Sequence, residues 1–337
     1  MAISKRTFWA MEGVSIGAST VSAVTGSTFV PAVQSVGITT NFNLEQIFQL
    51  GQLQIYQDLE EVPDIEITIE KAVDDTGGLF GRCMKAAASA TIVADQNEKV
   101  NVFFSVGIDT EDNIGGENSI AHIYCSGMFL SSYSANFVTD GFFTESATLV
   151  GNHKVWNAAG GDAGGEPAAP ATGDVARRQN FSFDPGPAAV TANLVANAAV
   201  NSCTISTDLG REEMNILGQR LPYHRFVTFP VEVTCEIEMY VTNILAVSQA
   251  AGVGASKQLD AFDNIDNTTE EEIVVSVSDA AANNVFSNAG AIHTWNLGEK
   301  NRLQSITWGG GDTGGSNATL TLSYRNFNFL SYSGPAL

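Results

Sequence analysis

From Val231 to Val241 the chain alternates without a fault: Val231, Val233, Cys235, Ile237 and Met239 are interleaved with Glu232, Thr234, Glu236, Glu238 and Tyr240. A period of two puts the two sets on opposite faces of an extended strand, one buried and one wet. Asp64 to Glu70 repeats the design, with Ile65, Ile67 and Ile69 opposite Asp64, Glu66, Thr68 and Glu70, and so does Ala318 to Arg325, with Leu320, Leu322 and Tyr324 opposite Thr319, Thr321, Ser323 and Arg325. Antiparallel sheets with one solvated face carry this signature. Thr139, Asp140 and Gly141 lie between two such runs, 133–138 and 142–149, and predict a tight hairpin turn. The glycines of 309–315 predict a longer connection between 303–308 and the last strand. Helix formers gather only at Leu79 to Ala90, behind Gly78, so one helix is expected there. The predicted fold class is all-β: an antiparallel sandwich or barrel with one flanking helix and long loops.

Asn157 to Ala189 breaks the pattern. Gly, Ala, Pro and Asp dominate it, and Phe181 and Phe183 are its only large apolar residues, which predicts a surface loop or insertion. Gln249 to Ser256 is a shorter interruption. The organisation expected is a first β-rich block over 1–156, an insertion over 157–197, and a second block over 198–337 completing the same domain.

Composition narrows the function classes. With 337 residues, 44% of them hydrophobic, the chain has ample material for a core. No apolar run approaches the roughly 18–20 residues that span a bilayer. Lys5 and Arg6 precede a short apolar stretch that Glu12 interrupts, so no secretion signal is expected. Sixteen Lys and Arg against 37 Asp and Glu give a net charge of −21, the reverse of what gripping nucleic acid requires. Cys83, Cys125, Cys203 and Cys235 never form a C-x-x-C pair; buried free thiols are expected, without a zinc or redox site.

Chemical motifs fail on their context. Gly13-Val14-Ser15-Ile16-Gly17 matches a nucleophile elbow, but no helical pattern follows it. His122, His153, His224 and His293 are too scattered for a metal. The carboxylates from Glu45 through Asp58, Glu60, Glu61, Asp64, Glu66, Glu70, Asp74 and Asp75, with Lys71 the only base, read as a solvated acidic face. Gly252 to Lys257 lacks the order of a phosphate loop. The sequons at Asn180, Asn267 and Asn317 matter only in a eukaryotic secretory pathway. No catalytic group, cofactor or metal is assigned, and no enzymatic activity is expected.

Three stretches carry a resemblance: 207–235, from Thr207-Asp208-Leu209-Gly210-Arg211 through Arg220-Leu221-Pro222-Tyr223-His224-Arg225 to Phe229-Pro230-Val231; 59–71, Leu59-Glu60-Glu61-Val62-Pro63-Asp64 onward; and 137–152, around Asp140-Gly141-Phe142-Phe143. They resemble the tail tube (major tail) proteins of tailed bacteriophages. The resemblance covers about a quarter of the chain and implies a β-sandwich whose strands join those of neighbours in a hexameric ring. Stacked rings would then enclose a channel for genome passage. The implied partners are further copies of the chain, other tail proteins (terminator, baseplate, and sheath if the tail is contractile), and double-stranded DNA in transit without specific binding. No membrane is involved, and the implied location is the virion, assembled in the host cytoplasm. The 157–189 segment is more than a minimal tube subunit needs.

On that reading the polar strand faces supply a lumen wall through Glu66, Glu70, Glu232, Glu236 and Glu238. Asn41 to Lys71 is the expected inter-subunit arm, because Leu44, Ile47, Phe48, Leu50, Leu53, Ile55 and Tyr56 alternate imperfectly and suggest contacts on two sides. Other readings are a terminator, baseplate or decoration protein; a carbohydrate-binding sandwich stacking sugars on Trp156, Trp295 and Trp308; and a hydrolase, for which no nucleophile, base and orienting group can be assembled.

Overall fold

The computed structural model describes residues 12–107, 119–158, 173–187, 200–240, 270–278, 291–310 and 317–335. The gaps take with them the Lys5/Arg6 segment, the 249–256 interruption, Gly252 to Lys257 and Asn267, so those expectations lie outside the described residues.

Alternation builds the main sheet. Its central row runs, edge to edge, β19 (Arg302–Gly309), β20 (Thr319–Phe327), β16 (Glu232–Tyr240), β13 (Val200–Asp208), β9 (Ser119–Val138), β10 (Thr144–Gly151), β6 (Asp64–Ala72) and β3 (Val33–Asn41). Every neighbouring pair is antiparallel. The runs read as strands from the sequence include β16, β6, β20 and β19, and in β16, β6 and β20 the inward and outward residues are as expected.

β9 is 20 residues long and serves two surfaces. Its second half pairs with β10 and β13 in the row, while its first half pairs with β8 (Val100–Gly107) and β11 (His153–Ala158). β8 in turn carries β1 (Glu12–Ala18), which pairs with β2 (Thr28–Phe29). The handover falls at Gly127, whose φ of 67° a side chain would resist; the local register shift bends the strand there.

A second sheet, β12 (Phe181–Phe183), β17 (Val274–Ser278), β18 (Ala291–Asn296), β21 (Ser331–Ser333) and β7 (Ser89–Thr91), covers the apolar side of the row. Trp295 sits at the seam, 5.1 Å from Phe137 by ring centroids, with Phe181 against Phe137 at 5.3 Å. One contiguous core draws on residues from Val14 to Tyr332. Both β-rich blocks share it. Phe181 and Phe183 belong to it too, with Ala176, so the described part of the expected insertion, 173–187, contributes to the core where only a surface loop was expected.

Helix α1 (Leu79–Lys85) starts where expected and stops five residues early. Ala86 turns into the left-handed region at φ 54°, its N–H and that of Ala87 cap the carbonyls of Arg82 and Gly81, and the chain leaves to pair β7 with β21. A single further helical turn, α2 (Ile92–Asp95), follows. The Thr139–Gly141 turn is wider than the two-residue form. Only Gly141 takes a positive φ, because Thr139 bonds Asn201 and the buried Phe143 bonds Ala176 before β10 begins. Two small hairpins stand apart from the sheets: β4 (Leu44–Phe48) with β5 (Ile55–Glu60), and β14 (Arg211–Met214) with β15 (His224–Val227).

Candidate functional site

The solvated face of the eight-strand row is the broadest candidate surface. Register places Ser35, Gly37, Thr39 and Asn41 of β3 beside Glu70, Thr68, Glu66 and Asp64 of β6. Next come Ser146 and Thr148 of β10, Ser134 and Ser132 of β9, then Ser206 and Asp208 of β13. β16 adds Glu232, Thr234, Glu236 and Glu238, and β20 adds Arg325, Ser323 and Thr321. All five glutamates expected to line a lumen therefore share one face, and four are exposed, with Glu238 half-buried. They form two columns, on β6 and β16, four strand spacings or about 19 Å apart. Three strands, β13, β9 and β10, separate the columns and present mainly hydroxyl side chains here, with Asp208 the carboxylate placed among them. Among the described residues the row's cations on this face are Arg325 and Arg302, both at the β19 end.

The two edges of the row are open. β3 pairs only with β6 and β19 only with β20 among the described residues. Neither edge carries the usual protection: β3 reads VQSVGITTN, with no charge or proline, and β19 reads RLQSITWG, with a single charge at its start. Neighbours alternate across eight strands, so β3 of one copy and β19 of an identically oriented copy would meet antiparallel.

The expected arm residues fall on the β4/β5 hairpin and its loop, and every residue of both strands is exposed. Leu44, Ile47, Phe48, Ile55 and Tyr56 lie on the strands, while Leu50 and Leu53 at the tip are fully exposed, at 102% and 101%. The register sets Leu44 beside Glu60 and Ile47 beside Gln57, leaving apolar residues on both faces. A lone two-stranded hairpin is at best marginally stable in water, and this one has no core beneath it. At its base, Asn43 donates to Val62 O and the Asp64 carboxylate, and Asp64 accepts from Arg225 at 2.6 Å. Arg225 also pairs with Glu213, tying the β14/β15 hairpin to the same end of the row.

No family model matches the chain, and no curated protein matches it. Among solved structures it is similar to the tube-terminating cap of the anti-feeding prophage, at 16% identity and a TM-score of 0.36 over 47% of this chain and 95% of that one. The baseplate of the same particle matches at 9% identity and TM-score 0.34, over 46% and 97%. The sheath–tube complex of an extracellular contractile injection system in its extended state matches at 15% and 0.33, over 47% and 95%. Likenesses at this level leave the function to be argued from the chain's own residues.

Beneath the sheet lies a polar cluster that corrects the expectation of a solvated acidic face at Lys71 and Asp74; both are buried and pair with each other. Lys71, Asp74, Glu145, Arg82 and His293 are all buried. Lys71 pairs with Asp74; Glu145 accepts from the Leu79 N–H at 2.9 Å and the Tyr133 hydroxyl at 2.5 Å. Tyr133 accepts in turn from the Trp295 indole at 2.7 Å, and the Tyr332 hydroxyl accepts from Gly78 N–H at 2.6 Å while bonding His293 Nδ1. His293 Nε2 bonds the Asp74 carbonyl, and burial pulls its pKa below the ordinary value. These bonds staple α1 between the two sheets. The signal was parity: Lys71 continues the inward series Ile65, Ile67, Ile69, and Glu145 the series Ala147, Leu149.

The remaining motifs resolve structurally. Ser15 of the G-x-S-x-G match is buried in mid-strand on β1, with no elbow. His122 bonds Ser105 and His153 bonds Ser126; among the described residues no group of three or more His, Cys, Asp or Glu could hold a metal. The four cysteines are free and buried, burial raising the Cys125 thiol to about 11; Cys203 and Cys235 share a thiol–thiol hydrogen bond at 3.9 Å without a disulfide. Trp156 and Trp308 are exposed, but Trp295 is fully buried, so the three cannot form a sugar platform.

Proposed function

We propose that this chain is a structural subunit that polymerises into stacked rings around a channel, as a tail tube protein does. The observation that carries the reading is the eight-strand row with two long edges of complementary direction, unpaired among the described residues and carrying a single charge, Arg302, between them. Side-by-side copies satisfy both edges at once and turn an aggregation hazard into a closed sheet. The tail tube resemblance implies six copies per ring.

The hydroxyl and carboxylate face then lines the bore. Double-stranded DNA carries one charge per about 1.7 Å, and a wall whose cations are confined to Arg302 and Arg325 at the β19 end offers the phosphates few footholds. Two glutamate columns repel the polyanion, and the Ser and Thr strands between them hold water. The role is structural rather than catalytic, with other tail proteins as partners at the tube ends and the virion as location.

The test is a pair of edge lysines, Gly37→Lys with Thr39→Lys. Thr39 is exposed and a side chain at Gly37 meets nothing within 4 Å, so the fold should tolerate both. The double variant should keep the parent's urea midpoint yet sediment as monomer where the parent forms rings. Rings formed by this variant would refute lateral pairing through β3.

A further inference from the structure

The end of the molecule opposite the β4/β5 hairpin holds a cavity of about 320 Å³, lined by Phe137, Val138, Phe143, Phe181, Val200 and Cys203, with Arg178 and Gln179 at its mouth. It sits where β9 ends and β10 and β13 begin, between the two sheets. The hairpin leaves from the start of β6 and the cavity lies level with its end, since Ala72 pairs with Thr144. Eight residues of strand, about 27 Å, separate the two. A chain therefore presents an apolar projection at one end and an apolar recess at the other, a recess within the size range of ligand sites.

The charges of the two ends match. Residues 42–62 carry Glu45, Asp58, Glu60 and Glu61 and no Lys, Arg or His. The mouth of the cavity carries the exposed Arg178, preceded in the chain by the exposed Arg177, in a chain with only 16 Lys and Arg. We infer that the cavity is the socket for the hairpin tip of a second copy, receiving Leu50 or Leu53 while Arg178 meets the hairpin's carboxylates. The inference rests on the ring-stacking reading above and names the surfaces that join one ring to the next. Head-to-tail contacts of this kind do not close on themselves, so each added ring re-creates a free socket and a free tip.

Cross-linking tests it. The native thiols are buried, so Leu53→Cys at the tip and Gln179→Cys, exposed at the socket mouth, introduce the reactive pair. Mild oxidation of the assembled double variant should give a ladder of dimer, trimer and higher species on a non-reducing gel, and neither single variant should. Arg178→Glu should suppress the ladder at least tenfold at low salt. Dimers from Leu53→Cys alone would show tips meeting tips and overturn the inference. Tubes visible by microscopy with no ladder would also overturn it while leaving the tube reading intact. A double variant and parent that both stay monomeric would overturn the tube reading and this inference together.

Discussion

Lys71 and Asp74 are the most exacting residues in the molecule, a full ion pair with 0% and 1% side-chain exposure. Removing one partner strands a buried charge, at a typical cost of about 3–5 kcal/mol, whereas removing both costs much less. Lys71→Met should therefore lower the urea midpoint sharply, and Lys71→Met with Asp74→Asn should recover part of the loss; equal losses would show that the two do not act as a pair. His293 adds a pH dependence. Its folded pKa lies below the unfolded value of about 6.5, so the folded chain binds fewer protons between the two values. The stability it confers is complete above pH ~6.5 and is lost as pH falls through that window. The urea midpoint should drop from pH 7 to pH 5, and drop less in His293→Gln; parallel slopes would contradict the assignment. This cluster was legible only as a parity anomaly, because a Lys or Glu at an inward position looks in isolation like ordinary surface charge. Its partners come from separate elements: Glu145 meets the start of α1 and Tyr133 of β9, while His293 reaches Asp74 from β18, over two hundred positions away.

Among the elements, strands with one buried and one wet face were legible because a single face sets their register: β6, β16, β19 and β20 fall where alternation put them. The second sheet was not. Its five strands have three to six residues each and come from four distant parts of the chain, too short for a period to show. β12 was hidden further by the Gly- and Pro-rich composition around it. The β4/β5 hairpin carried the opposite signal: many apolar residues without a consistent face, which the structure leaves wholly exposed. It contributes nothing to the core, so replacing 44–60 with an Asn-Gly turn should leave the thermal midpoint within about 2 °C, a ΔΔG near zero, and yield folded chains that do not form tubes. Tubes from that variant, seen by microscopy, would remove the hairpin from assembly.

On the scale of the whole molecule, a net charge of −21 is spread unevenly. Part of it stands in two columns on the face of the row, with strands rich in hydroxyls and carrying Asp208 between them, a spacing that alternation alone does not reveal because strand order is set by tertiary pairing. Replacing Glu66, Glu70, Glu232, Glu236 and Glu238 with Gln should leave tube length and diameter unchanged, since none of them is buried in the core. The same variant should slow DNA release from reconstituted particles several-fold, measured by dye uptake into released DNA. Unchanged release would take the charge out of the channel's working.

The most direct test is negative-stain microscopy of the purified chain over a range of concentration and salt. The edge-to-edge account expects closed rings of uniform diameter, six-fold in projection, stacking into open-ended tubes with a stain-filled bore. A chain that remains a monomer at every concentration and salt tried would contradict it.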